Sequence, residues 1–250
     1  MNSFLIALRF LSRLPAPATT EITALRAAQS MLAFPLVGAL FGLILLAADI
    51  ALQWLLPALP ANALLLLLWV LLSGGLHLDG FIDCCDGLWV AKSPADRLEI
   101  LRDTHIGAYG AIGVGVLLLV KFAALAGLPL GVRGPALIIA PVVARWAMVY
   151  ATQRYSYARR GPGLGLWFKE HLRSAHLVAA TGVALALVLA GHLWLGPALL
   201  LLAWLATLLL ARWAQGRLGG LTGDLYGMIC EVIEPLVLLA ATAIYPLIGA

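Results

Sequence analysis

Residues 61–88 read ANALLLLLWVLLSGGLHLDGFIDCCDGL, an apolar run of membrane length that passes through two glycines straight into a stripe of aspartates. A hydrocarbon core of roughly 30 Å asks for about 20 apolar residues per helix. Comparable runs lie around 32–56, 106–128, 135–151, 176–192, 194–211 and 232–249, which with 61–78 makes seven expected spans. The 250-residue chain is 63% hydrophobic and only 11% charged, and a soluble domain of that size has nowhere to hide so much apolar surface. The expected fold class is therefore all-α, a polytopic membrane helical bundle forming a single integral-membrane domain over residues 1–250. The lipid bilayer is its first partner. The opening run FLIALRF is short and no small-residue cleavage site follows it, so residues 1–30 are expected to form an interfacial segment rather than a removable signal peptide.

The basic residues are sorted by loop. Arg9, Arg13 and Arg26 precede the first span; Lys92, Arg97 and Arg102 follow the second; Arg154, Arg159, Arg160, Lys169 and Arg173 follow the fourth; Arg212 and Arg217 follow the sixth. Arg133 is the exception. The positive-inside rule then places the N-terminus in the cytoplasm and the C-terminus outside a cell inner membrane, as an odd number of spans requires. Scattered in this way, a net charge of +4 marks topology and does not build a nucleic-acid surface. Cys84, Cys85 and Cys230 fall near the cytoplasmic face without CxxC or histidine-spaced companions, which excludes a disulfide framework and a zinc site. A homo-oligomer is compatible with such a bundle but is not read from it.

Of the twelve carboxylates, all but Asp49 lie in or beside cytoplasmic segments. Carboxylates cost several kcal/mol in hydrocarbon unless paired, solvated or metal-bound. Asp49, near the outer end of the first span, is expected to snorkel or pair locally. Asp79, Asp83 and Asp86 stand at i, i+4 and i+7, within about 60° on a helix running on from the second span. Three like charges on one stripe are comfortable with a cation among them, and an all-oxygen set suits Mg²⁺ or Mn²⁺. His77 points to the other side of that helix, and Gly74, Gly75, Gly80 and Gly87 admit a close neighbour. A second acidic group opens the last span in GGLTGDLYGMICEVIEP, residues 219–235. Asp224 and Glu231 are two turns apart on one face, Glu234 is displaced by about 80°, and both acidic groups are expected to share one polar cavity.

In RDTHIGAYG, residues 102–110, Asp103 or Thr104 is expected to cap the third span, whose glycine-rich first turn could receive a phosphate. Arg145 lies inside the fourth span, where a guanidinium must meet a carboxylate or a phosphate. Carboxylates for a divalent cation, nearby arginines and an open helix start describe a polyphosphate site, and phosphoryl transfer is the reaction that needs those parts. An aspartate left over could accept the proton of an incoming hydroxyl. No histidine stands at a helical spacing suited to a serine or cysteine nucleophile, and no dinucleotide fingerprint or Walker loop is present.

The segments GGLHLDGFIDCCDGL (74–88), RDTHIGAYG and GGLTGDLYGMICEVIE (219–234) closely resemble the signatures of the cobalamin-5′-phosphate synthase family. Weaker similarity runs through RFLSRLPAP, FPLVGALFG and ARWAMVYATQRYSYARRGPGLG. The resemblance implies transfer of the adenosylcobinamide phosphate moiety from adenosylcobinamide-GDP to α-ribazole or its 5′-phosphate, with GMP released and Mg²⁺ required. It implies Asp79, Asp83 and Asp86 as metal carboxylates, with Asp224 and Glu231 as the second acidic contribution. Asp79, Asp83 and Arg145 are then the expected catalytic residues, Arg145 offsetting developing charge. Asp103, Arg102, His77, Arg159 and Thr222 are the expected substrate contacts. Cys84, Cys85 and Tyr226 depart from the small, hydroxyl or aliphatic residues the pattern leads one to expect.

Two rivals are weaker. A CDP-alcohol phosphotransferase needs an alanine–arginine pair after its DxxDG, and DGFIDCCDGL lacks the arginine. A cation-coupled transporter predicts acids at mid-span and paired broken helices, whereas these acids gather at one face.

Overall fold

The computed structural model describes residues 3–17, 22–159 and 164–245; Arg160 lies outside them. Helices α1 (Ser3–Leu11) and α2 (Ala24–Ser30) come first, and a 3-10 turn over Met31–Ala33 carries α2 into α3 (Phe34–Leu55). There follow α4 (Ala58–Ser73), α5 (Leu76–Leu88), α6 (Pro94–Ile100), α7 (Ala108–Gly127) and α8 (Leu130–Arg154). The chain continues with α9 (Leu164–Glu170), α10 (Ser174–Gly191), α11 (Leu195–Leu218) and α12 (Gly223–Ile244). Among the described residues, six stretches are long and apolar enough to cross a membrane, or up to seven if α4 and α5, bent by 91° at their junction, are counted as one span. The protein is a multi-pass membrane helical bundle.

Three sequence expectations change. The first span is longer than 32–56, because α2 runs through the turn into α3 and makes one stretch of 32 residues, Ala24–Leu55. Of the expected interfacial residues 1–30, α1 lies outside the spans and α2 inside one. The last helix begins at Gly223, nine residues before the expected 232, so the acids from Asp224 to Glu234 are inside it; its expected end at 249 lies outside the described residues.

The third change concerns the straight continuation of 61–78 into the aspartates. Gly74 and Gly75 have φ of +63° and +74°, a left-handed pair that only glycine adopts readily. The Gly74 and Gly75 N–H groups donate back to Leu71 and Val70 at 3.0 and 3.2 Å, closing α4 as a glycine cap does, and the Asp79 N–H donates to Gly75 at 2.8 Å to open α5. A Cβ on Gly74 would collide with the Arg13 side chain. The aspartates thus ride on a separate short helix turned away from α4.

Helix α8 is the central post: 78% of its apolar stretch is buried, against 17% for α10. Gly38 and Gly42, four apart on α3, let the two backbones touch. A Cβ on Gly38 would meet the Pro141 carbonyl, and one on Gly42 would lie 2.5 Å from Ile138 Cα. This is small-residue packing of the kind membrane helices use. At the end of the bundle away from the motifs, Asp49 forms a fork with Arg133, Nε to Oδ2 at 2.8 Å and Nη2 to Oδ1 at 2.7 Å. Asn62 accepts a further bond from the same guanidinium at 2.5 Å. Asp49 therefore pairs across helices, and the exceptional Arg133 is its partner.

Candidate active site

Three motif segments converge at the end of the bundle that carries α1, α6 and α9. Helices α5 and α12 touch backbone to backbone, for a Cβ on Gly80 would lie 2.9 Å from Asp224 Cα and one on Gly227 would lie 3.1 Å from His77 Cα. This crossing sets Asp79 and Asp83 beside the first turn of α12. Asp83 has Asp224, Asp79 and Asp86 as like-charged neighbours and Arg159 as a nearby cation. Asp79 is exposed and Asp83 half-buried.

Arg159 arrives from the loop after α8. That loop pairs with the one before α12 through an isolated bridge, Ala158 N–H to Leu221 O and Leu221 N–H to Ser156 O, both 2.8 Å. Arg159 Nη2 then donates to Asp224 Oδ2 at 2.7 Å and to the Leu101 carbonyl at 2.9 Å. Thr222 caps α12 through its hydroxyl, which accepts from the Leu225 N–H at 3.4 Å and donates to Asp224 Oδ2 at 3.2 Å. The Arg159 and Thr222 bonds both fall on Oδ2, and no hydrogen bond among the described residues takes Asp224 Oδ1.

The start of α7 differs from expectation. Its N-cap is Gly107, neither Asp103 nor Thr104, and two of its first-turn N–H groups are taken by a carboxylate. Asp86 accepts from Gly107 N–H at 2.8 Å on Oδ2 and from Gly110 N–H at 2.9 Å on Oδ1. A carboxylate at a helix N-terminus satisfies two orphan donors and opposes the helix dipole. A Cβ on Gly107 or Gly110 would strike that carboxylate, which accounts for both glycines of the motif. Asp103, exposed, instead binds the backbone N–H of His105 at 3.0 Å and its ring Nδ1 at 2.7 Å. The backbone bond first and the ring second hold its carboxyl below the usual carboxylate range. Arg102 is exposed in the same loop, within electrostatic reach of Tyr157.

Asp224 and Glu231 do not share a cavity. Glu231 is buried and lies 3.4 Å from Lys121 Nζ. Glu234 takes both Lys121 and Arg145, and the four charges cancel. Lys121 sits over the Trp69 ring at 4.4 Å and Arg145 over Phe41 at 4.8 Å. Seven residues separate Asp224 from Glu231 along α12, about 10 Å of helix rise; the sharing of one face says nothing of depth. Arg145 thus meets a carboxylate inside the bundle rather than the site. Lys121 was not singled out by sequence reasoning; a lone lysine in an apolar span was the available signal.

Asp79 and Asp224 line the mouth of a cavity of ≈ 170 Å³ whose floor includes His77 and Tyr226. Its apolar wall is built by Phe10 of α1, Phe34 of α3 and Phe168 of α9. Lys169 holds α9 in place by donating to the Thr152 and Gln153 carbonyls at 2.8 and 2.9 Å, and burial lowers its ammonium below the ordinary lysine value. His77 lies in this wall although the helical projection set it opposite the aspartates.

Among the described residues no three His, Cys, Asp or Glu side chains close on a point that could hold a metal by themselves. Mg²⁺, however, is commonly held by one or two carboxylates together with substrate phosphates and water. The Asp79 and Asp83 carboxylates and Asp224 Oδ1 accept no hydrogen bond among the described residues, so the hard-oxygen donors present fit that mode.

No solved structure matches the chain significantly. Among curated proteins, the adenosylcobinamide-GDP ribazoletransferase of Desulfitobacterium hafniense (strain Y51) is 41% identical over 256 residues, 98% of this chain and 99% of that protein. The protein of the same description from Roseiflexus sp. (strain RS-1) is 39% identical over 241 residues, 96% and 89% of the two chains. A third, from Pseudomonas aeruginosa PAO1, is 42% identical over 247 residues, 96% and 97% of the two chains. The Cobalamin-5-phosphate synthase family model matches residues 3–242, a stretch that takes in every residue of the site. The chain belongs to the cobalamin-5-phosphate synthase family.

Proposed function

We infer that the chain is a membrane-bound transferase that moves the adenosylcobinamide phosphate moiety of adenosylcobinamide-GDP onto α-ribazole or its 5′-phosphate and releases GMP. The observation that carries this reading is the meeting of two motif segments, α5 and α12, whose Asp79 and Asp224 line one cavity with Arg159 bonded to Asp224. Family membership supplies the substrates; the site supplies parts suited to a displacement at phosphorus.

An acceptor oxygen attacks the phosphorus on the cobinamide side of the diphosphate. A new P–O bond forms, the bond to the bridging oxygen breaks, and GMP leaves with the electron pair. With either acceptor the attacking oxygen is a ribose hydroxyl whose proton needs a base, and Asp79, exposed beside the cavity, is placed to take it. Asp83 and Asp224 would hold Mg²⁺, which when bound neutralises charge on the diphosphate oxygens. Arg159 takes the charge-offsetting role first given to Arg145, because Arg145 is paired with Glu234 inside the bundle. Thr222 fixes the Asp224 rotamer, and Arg102 adds positive charge at the approach. The loop distribution of Lys and Arg supports an inner-membrane protein with this end in the cytoplasm.

The test is the native chain purified in detergent and supplied with adenosylcobinamide-GDP, α-ribazole and Mg²⁺. GMP release should depend on both ribazole and Mg²⁺ and, at the Mg²⁺ level that half-saturates the native protein, should fall by at least about ten-fold in Asp83→Asn. A well-folded native preparation that makes no cobalamin overturns the reading.

A further inference from the structure

We propose that the ≈ 170 Å³ cavity walled by Phe10, Phe34 and Phe168 is the seat of the acceptor's planar aromatic base, and so the element that selects which base is joined. The proposal rests on the transferase reading above and adds the position and chemistry of one substrate group.

Size decides among the substrate parts. An apolar cavity of about 150 Å³ holds a benzene ring, so this one accepts a flat ring system and excludes a corrin macrocycle. Its walls reject the charged guanosine diphosphate, because buried charge without a partner is expensive. The wall chemistry suits a π-face: Phe10 and Phe168 have centroids 4.4 Å apart, and Phe34 lies 5.9 Å from Phe168. An independent observation points to a ligand with an in-plane nitrogen. His77 is 2% exposed, lines this cavity, and neither ring nitrogen has a hydrogen-bond partner. Leaving such a group unsatisfied costs about 1–3 kcal/mol, and a benzimidazole nitrogen in the cavity would satisfy it. An acyl chain of similar bulk would not. The same cavity opens on Asp79 and Asp224, so a nucleoside seated by its base presents its ribose to the carboxylates.

The experiment measures free benzimidazole and free indole binding to the full-length protein in detergent by saturation-transfer NMR, alongside the KM for α-ribazole. Indole has the same outline but lacks the pyridine-type nitrogen. Native protein should bind benzimidazole about five-fold more tightly than indole, and His77→Leu should erase that preference. Phe168→Leu should raise both the benzimidazole Kd and the α-ribazole KM by about ten-fold, leaving the KM for adenosylcobinamide-GDP unchanged. Gly223→Val is the second variant, since Gly223 lines the cavity and a Cβ there meets no atom within 4 Å; thermal unfolding checks that it folds, and by narrowing the cavity it should weaken benzimidazole in the same way. Benzimidazole binding that is absent from the native protein, or that survives both Phe168→Leu and Gly223→Val, overturns the proposal. Selective benzimidazole binding with no GMP release would uphold the cavity assignment and sink the transferase reading instead.

Discussion

Arg159 holds Asp224 across two loops, its Nη2 standing 2.7 Å from Oδ2, while the same nitrogen also reaches the Leu101 carbonyl. The pair is about one-fifth exposed on each side, so solvent screening keeps its stability contribution small; its task is to aim a carboxylate. Arg159→Ala should lower kcat for GMP release by about 10²-fold, the scale of a misplaced catalytic group. Arg159→Lys should fall between, since a compact ammonium cannot reproduce the guanidinium fork. Equal activity in all three would remove Arg159 from the site.

The two unpartnered aspartates of α5 should separate by metal dependence. Asp79→Asn should lower kcat by about 10²–10⁴-fold, the usual worth of a general base, with half-saturating Mg²⁺ unchanged. Asp83→Asn, assayed at high Mg²⁺ for residual turnover, should raise half-saturating Mg²⁺ by at least about ten-fold. The opposite pattern would exchange the two roles.

Asp86 is assigned to the start of α7, and its test is structural. Gly110→Ala drives a methyl into the Asp86 carboxylate and should cost about 1–3 kcal/mol in thermal unfolding. Asp86→Ala alone should cost about 1 kcal/mol as a lost cap. The double variant should be more stable than the sum of the two, because the clash disappears with the carboxylate. Strict additivity would contradict the contact.

The buried charge cluster predicts a rescue. Lys121→Met leaves an excess carboxylate among apolar helices and should destabilise by about 3–5 kcal/mol. Adding Glu231→Gln restores neutrality while Arg145 keeps Glu234, and should recover most of the monodisperse protein in detergent. A double variant no better than the single would show that charge balance is not what Lys121 supplies.

How far the sequence could be read depends on which physics each feature obeys. Hydropathy is a one-dimensional signal, and α7 and α10 fall within two residues of their expected limits. Gly74 and Gly75 are visible in the sequence, but a glycine pair reads equally as a packing surface or a hinge, and the Arg13 side chain beside Gly74 and the α12 backbone beside Gly80 come from distant parts of the chain. Asp224 and Glu231 share a helical face in projection, which hides their difference in depth. Asp103 has the right type and spacing for a cap, yet loses to Asp86, a competitor 21 residues before Gly107 that only the crossing of α5 and α7 brings near. The cavity wall was the least legible feature, for Phe10, Phe34 and Phe168 come from three distant segments and no periodicity links them.

The ionic cluster also orders the making of the protein. Lys121 and Arg145 belong to α7 and α8, while the carboxylates that neutralise them stand on α12, 110 and 113 residues after Lys121 in the case of Glu231 and Glu234. A chain threaded into the bilayer from its N-terminus therefore carries two orphan cations until its last helix is made. Until the last helix arrives the nascent bundle holds uncompensated charge among apolar helices, and the helix that neutralises it is the one that brings Asp224 to the site.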